Sequence, residues 1–393
     1  MDLFEKCSKI SEQTEGLKAS GHYFFFRKLE SPQDAEVTVS GRRVIMIGSN
    51  NYLGLTNHPR VKEAAIRAIE KYGSGCAGSR FLNGNLEIHE ELEAKLARFF
   101  HKEAALVFAT GYQTNLGAIS ALVGRNDIAI IDKYDHASII DGCRLSFGKV
   151  QKYRHNDMDD LERVLERAKG KGKLIIIDGV FSMEGDIADL PSIVKLAKAY
   201  EARIMVDDAH AVGVLGNGGR GTAEHFGLEK EVDIIMGTYS KSLAAIGGFI
   251  AGSAEVINFI KHVGRSMIFS ASLPPVLVAS VSEALDIIEE QPWLRAQLWR
   301  NTYKMLNGYK ALGYDTGLSE TPIVPIIIKD SMKTYQMCKL LFEHGVFVNS
   351  VVSPAVPPGR ELLRTSYMAT HTEDQLDKVL VAFEKVGKQL GVI

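Results

Sequence analysis

Short apolar runs punctuate the middle of the chain: AALVFATG (104–111), DIAIID (127–132), KLIIIDGVF (173–181), ARIMVDDAH (202–210) and VDIIMGTYS (232–240). Each is a continuous Val/Ile-rich stretch bounded by polar turns, the pattern of a strand buried on both faces in a parallel sheet covered by helices. Between them, DMDDLERVLERAKGKG and DLPSIVKLAKAYEA repeat apolar positions at helical spacing, with Asp-rich starts and lysine-bearing ends that suit the helix dipole. The alternation predicts an α/β sandwich with a mostly parallel sheet between helices. Residues 1–55 read as an arm leading into the main sheet and 56–285 as the large domain. Beyond about residue 285, WLRAQLWRNTYKMLNGYKALG alternates with the short strands TPIVPIIIK and VFVNSVV, which predicts a smaller α+β domain over 286–393.

Composition narrows the function classes. The 393 residues are 46% hydrophobic and 24% charged, ordinary for a globular protein and long enough for one large domain plus a smaller one. A formal net charge of −2, with basic residues dispersed, argues against a nucleic-acid or polyanion binder. Cys7, Cys76, Cys143 and Cys338 lie far apart and form no CxxC or Cys/His spacing, so neither a disulfide framework nor a zinc site is expected, and a reducing cytoplasm fits best. HEELE at 89–93 lacks the second histidine of HExxH, so no metal is expected. The N-terminus is acidic from its second position and has no apolar core, unlike a secretory signal. The longest apolar stretch, SLAAIGGFIAGSAEVINFI, is broken by glycines and Glu255, so a soluble protein is expected, with peripheral membrane contact left open.

Candidate chemistry gathers where the predicted strands end. In an open α/β sheet, ligands bind at the C-terminal edge of the strands. The residues delivered there are Thr110 and Gly111, His136, Ser182, Asp207 and His210, and Lys241. Lys241 follows an apolar strand among hydroxyls, ahead of a flexible glycine-rich run; desolvation lowers a lysine's pKa toward the neutral nucleophile, so it is either a solvated strand end or a covalent ligand. Paired with Asp207 it suits pyridoxal phosphate, the lysine forming the Schiff base and the carboxylate keeping the pyridine nitrogen protonated. His136 suits stacking on the ring, and His210 and Ser182 suit its phenolic edge. Gly111, opening an apolar helix, offers backbone donors to a phosphate, with Thr238 and Ser240 beside Lys241. GNGGRG at 216–221 fits GxGxxG, but TAEHFGLEK follows it instead of an apolar helix, so it reads as a surface loop and not a dinucleotide site.

SNNYLGL (49–55), GCAGSRFLNG (75–84), TGYQTN (110–115), DHASIIDG (135–142), FSMEGD (181–186), DDAHAVGVLG (207–216), GTYSKS (237–242) and MATHT (368–372) together resemble the α-oxoamine synthase family of fold-type I pyridoxal-phosphate (PLP) enzymes, in order and over nearly the whole chain. The resemblance implies a PLP-binding large domain and a decarboxylating condensation of an amino acid with an acyl-CoA. Its nearest branch joins L-serine to palmitoyl-CoA, giving 3-ketosphinganine, CoA and CO2; the alternatives use cysteate, glycine or alanine. By the same resemblance Lys241 is the Schiff-base lysine and the base for the α-proton, Asp207 pairs the pyridinium, His136 stacks on the ring and helps hold the substrate carboxylate, and His210 and Ser182 meet the phenolic oxygen. Gly111, Tyr112, Thr238 and Ser240 complete the cofactor site. Asn50 and Arg364 resemble the amino-acid carboxylate contacts, Arg360 competing with Arg364, and Ser79 a substrate-side residue. The family builds its sites at a homodimer interface, and FSASLPP (269–275) resembles the segment lent to the neighbour, with Ser270 and Ser272 as alternative phosphate donors. A long acyl chain needs an apolar groove, expected near Met267. Tyr239 stands where the branch carries phenylalanine.

Overall fold

A computed structural model describes residues 2–393. In chain order the strands are β1 (Glu36–Val39), β2 (Arg42–Met46), β3 (Ala104–Phe108), β4 (Asp127–Asp132), β5 (Lys149–Tyr153), β6 (Gly172–Asp178), β7 (Arg203–Asp207), β8 (Ile234–Thr238), β9 (Gly248–Gly252), β10 (Ile323–Ile327), β11 (Val346–Phe347), β12 (Asn349–Val351) and β13 (Leu362–Ser366). Two units form: Asn50–Leu298, and the stretch up to Ser49 together with Trp299–Ile393. The division falls within the helix Pro292–Ala311.

The Asn50–Leu298 unit is built on a seven-stranded sheet in the order β3-β9-β8-β7-β6-β4-β5. Neighbours among β4 to β8 pair in parallel, and β9 runs antiparallel to both β3 and β8, so β3 shares the direction of the other five. Each predicted apolar run forms a strand, because Val/Ile-rich segments with no polar face are stable only when helices cover both sides. Ile130, Ile131, Ile175, Ile176, Ile177 and Val206 are accordingly wholly buried. The two segments of helical spacing form Met158–Arg167 and Leu190–Ala199, capped by Asp157 and Asp189, whose side chains accept from Asp160 N and Ser192 N.

Two strands of this sheet lay outside the sequence expectation. β5 is an exposed edge strand, KVQKY, whose lysines blunt the open edge. β9 corrects the expectation of a flexible run after Lys241: GFIAG is a fully buried central strand. Its glycines serve packing. A Cβ on Gly237 would sit 2.4 Å from the Phe249 ring, and one on Gly248 would sit 2.7 Å from the Gly111 Cα, so the helix Gly111–Leu122 can lie on the sheet only because side chains are missing there.

The other unit holds two three-stranded sheets, β1-β2-β11 and β10-β13-β12. Ile45, Ile47, Val324, Leu363, Leu376 and Phe383 belong to its core. β1 and β2 thus sit in this unit's own sheet. The last helix, Glu373–Leu390, starts at a reciprocal capping box between Thr372 and Gln375. Among the described residues, no helix is long and apolar enough to cross a membrane, and no cluster of His, Cys, Asp and Glu is placed to hold a metal ion.

Candidate active site

At the C-terminal edge of the large sheet, β4 ends in Asp132, β6 in Asp178, β7 in Asp207 and β8 in Thr238, all buried. Asp178 and Asp207 are register partners on adjacent strands. Burial foremost, then Asp207 and Asp135, pushes the Asp178 carboxyl well up, while the His136 backbone N–H and Lys241 pull it down. Burial, then Asp132, does the same to Asp135. An edge this rich in buried carboxylates favours a bound cation.

Asp207 is held from two sides. Its Oδ1 accepts from Ala209 N at 3.0 Å, and its Oδ2 accepts from Asn115 Nδ2 at 2.7 Å. The same Asn115 amide donates to Ser138 Oγ at 2.9 Å, and Ser138 Oγ lies 2.7 Å from His136 Nδ1. Because Nδ1 also accepts from Ser138 N at 3.3 Å, it carries no proton, which leaves the proton of the neutral ring on Nε2. The ring is exposed by accessible surface, yet protein crowds it enough that partial desolvation lowers its pKa, assisted by Lys241 and opposed by Asp207. Asn115 therefore links the two, donating to Asp207 on one side and, through Ser138, connecting to His136 on the other. Asn115 and Ser138 were not singled out from the sequence, although both lie in quoted motifs; each is buried one turn or less into a helix that starts at the ligand edge.

Lys241 follows β8 by three residues and is half-buried, in a tight connection where Ala244 N donates to Lys241 O at 3.2 Å and Ala245 N to Tyr239 O at 3.0 Å. It sits within the electrostatic reach of both His136 and Asp178. Nearby, Thr110 caps the helix Gly111–Leu122 by accepting from Gln113 N at 3.1 Å. A Cβ on Gly111 would come within 2.6 Å of Thr238 Oγ1, and Thr238 Oγ1 lies 3.0 Å from Ser240 Oγ. Backbone donors at a helix N-terminus beside two hydroxyls suit a phosphate. A buried carboxylate, a neighbouring lysine and this cradle are a donor set that fits PLP.

The remaining predicted residues spread around this centre. Tyr112 is partly exposed, donates its hydroxyl to Asp141, and meets the His136 ring edge-on with 6.5 Å between ring centroids. His210 Nδ1 shares a 2.7 Å hydrogen bond with the buried Tyr52 hydroxyl, which also lies 3.4 Å from Asn50 Oδ1. Tyr52 is a further residue the sequence reading passed over. Ser182 is half-buried in the turn after β6. Ser79 is buried and its Oγ has no hydrogen-bond partner. Ser272 Oγ donates to Gly78 O at 3.0 Å, and Ser270 Oγ lies 3.3 Å from Gln113 Nε2. Met267 packs into the core with Leu106 and Phe108, leaving 4% of its surface accessible. In the other unit, Arg364 is buried in β13 between the register positions of Pro325 and Asn349, while Arg360 is exposed.

The model of the aminotransferase class I and II family matches residues 42–383, and the chain belongs to this family. Its architecture is fold-type I. It is 55% identical over 391 residues to a serine palmitoyltransferase of Sphingobacterium spiritivorum, spanning 98% of each chain. To an 8-amino-7-oxononanoate synthase of Thermoanaerobacter pseudethanolicus it is 51% identical over 386 residues, again spanning 98% of each. A high-resolution structure of SPT with PLP matches at a TM-score of 0.97 and 37% identity, with 100% of both chains covered.

Proposed function

We propose that the protein is a PLP-dependent α-oxoamine synthase that condenses L-serine with palmitoyl-CoA, releasing CoA and CO2 and forming 3-ketosphinganine, the entry step of sphingolipid synthesis. The observation that carries this reading is the buried Asp207 carboxylate, tied through Asn115 and Ser138 to His136, which itself lies within reach of Lys241's charge. PLP, when bound, supplies an electron sink for negative charge at the amino-acid α-carbon. Lys241 Nζ holds the cofactor and serves as the base for the α-proton. Asp207 offers its anion to the pyridinium, His136 its neutral ring to the cofactor's face, and His210 and Ser182 hydrogen bonds to the phenolic oxygen. The N–H groups opening the helix at Gly111 and Tyr112, with the Thr238 and Ser240 hydroxyls, bind the phosphate. The stretch 56–285 thus carries the cofactor.

Asn50 and Arg364 serve the substrate carboxylate by resemblance, and a guanidinium suits that task because it grips a carboxylate bidentately. Ser79 and the surroundings of Met267 belong to the substrate side. The reading includes a cytoplasmic homodimer in which Ser270 or Ser272 reaches the neighbour's phosphate, and it leaves peripheral membrane contact open. The 51% identity to an 8-amino-7-oxononanoate synthase supports a second reading, in which alanine replaces serine and a different acyl-CoA is used. Incubation of an equimolar mixture of serine, alanine, glycine and cysteate with palmitoyl-CoA and, in parallel, with a shorter acyl-CoA, with products identified by mass spectrometry, separates the two. Predominant 3-ketosphinganine is expected; a dominant alanine, glycine or cysteate product overturns the choice of serine and leaves the cofactor chemistry standing.

A further inference from the structure

His155, outside the residues assigned above, stands between two carboxylates at the ligand edge of the large sheet. Its Nδ1 lies 3.0 Å from Asp132 Oδ1 at the end of β4, and its Nε2 lies 3.0 Å from Asp186 Oδ2 in the turn after β6. An ionised carboxylate only accepts, so two such contacts require both ring nitrogens to donate, which only an imidazolium does. Asp132 accepts from two further donors, Tyr134 N and Asn156 N, each at 2.8 Å. Asp186 depends mainly on the histidine: its Oδ1 is buried without a hydrogen-bond partner, and the other donor to its Oδ2, Asn156 Nδ2, stands at 3.5 Å. Desolvation lowers the ring's pKa, but the hydrogen bonds and charges of Asp132 and Asp186 outweigh it and lift the value to about 9.

The ring is walled by two aromatics that lead into the proposed cofactor residues. Tyr134, two positions before His136, stacks on it at 4.5 Å between centroids, and Phe181, immediately before Ser182, meets it edge-on at 4.4 Å. The turn bearing Ser182 closes on itself, with Gly185 N donating to Phe181 O at 2.9 Å and Phe181 N to Asp186 O at 3.1 Å. Asn156, in a left-handed conformation, extends the clamp: its Nδ2 donates to Ile187 O at 3.1 Å and its Oδ1 accepts from Asp189 N at 3.0 Å.

We propose that His155 is a positioning residue, a bridge from Asp132 to Asp186 that fixes His136 and Ser182 relative to one another and so shapes the ring-binding side of the cofactor site. The inference rests on the PLP reading above. In this account His155 touches neither cofactor nor substrate; its effect passes through Tyr134 and the 181–186 turn.

The test compares the wild-type protein with His155→Gln and with the double variant His155→Gln/Asp186→Asn, in which two neutral amides can hydrogen-bond. Circular dichroism checks the fold, and the PLP dissociation constant and the visible spectrum of the bound cofactor report the site. His155→Gln is expected to weaken PLP binding about ten-fold and shift the absorption maximum, because it takes the cationic partner from the buried Asp186 and leaves it only the 3.5 Å contact from Asn156 Nδ2; the double variant is expected to recover most of both. A folded His155→Gln with unchanged affinity and spectrum overturns the positioning role alone. Failure of the wild-type protein to bind PLP overturns the cofactor reading, and this inference with it. Should the variants not fold, nitrogen-15 shifts of the wild-type imidazole at neutral pH decide: protonation at both nitrogens supports the bridge, and a neutral ring contradicts it.

Discussion

Asn115 shows how much of the site hangs on a side chain with no part in the chemistry. Its amide has two N–H donors, and both are committed, one to Asp207 and one to Ser138. Asn115→Leu would leave a buried carboxylate oxygen and a buried hydroxyl without their donor, and unsatisfied groups of this kind cost about 1–3 kcal/mol each. Titration with PLP and steady-state kinetics should show binding and turnover each falling by about ten-fold or more, with a smaller loss for Ser138→Ala, which spares the Asp207 bond. Equal effects of the two variants would contradict the proposed place of Asn115 between Asp207 and Ser138. At this scale the sequence was informative about groups that do chemistry and silent about those that orient them. Lys241, Asp207 and His136 are unusual residue types to find after apolar strands. An asparagine one turn into an apolar helix is not unusual, and its meaning comes from two partners distant in sequence, Ser138 and Asp207.

Among the elements, β8 and β9 carry the clearest lesson about glycine. The five Val/Ile-rich strands were legible because periodicity and composition agree there. GFIAG was not, since glycine weakens a strand by its own propensity and signals flexibility when read locally. The competing principle that won is tertiary: the helix Gly111–Leu122 approaches so closely that position 248 has no room for a Cβ. Gly248→Ala is therefore expected to destabilise the protein by about 1–3 kcal/mol, the usual cost of overpacking against rigid backbone, seen as a lowered urea midpoint. It should also weaken PLP binding, because the displaced backbone is that of Gly111. A midpoint at or above wild type would show that the helix has freedom to move, against the packing described.

For the whole molecule, the pairing least visible in the sequence is the one that joins its ends. β2 lies parallel to β11, Ile45 opposite Val346, and nothing in either segment's own pattern announces a partner so far along the chain. The same unit buries His371, whose Nδ1 accepts from Met368 N at 2.9 Å and whose Nε2 lies 3.1 Å from Met46 O. Burial lowers its pKa from 6.5 to about 4. The unfolded chain then takes up the proton first, so this histidine's contribution, about 3 kcal/mol, is complete above pH 6.5 and is lost as the pH falls toward 4. His155 works in the opposite sense: with its pKa raised to about 9, its contribution is complete below pH 6.5 and is lost as the pH rises through 9. Urea unfolding across this range should show His371→Gln flattening the acid limb and His155→Gln the alkaline limb; variants that parallel wild type on their respective limbs would contradict the assignments.

The proposed chemistry turns on the amine of Lys241. The most direct measurement is to load the purified protein with PLP, reduce it with borohydride and map the digest by mass spectrometry. A pyridoxyl group fixed to the peptide containing Lys241, absent from Lys241→Ala together with the bound-cofactor absorbance, is the predicted result. No label, or label on another lysine with Lys241→Ala still absorbing and active, would contradict it.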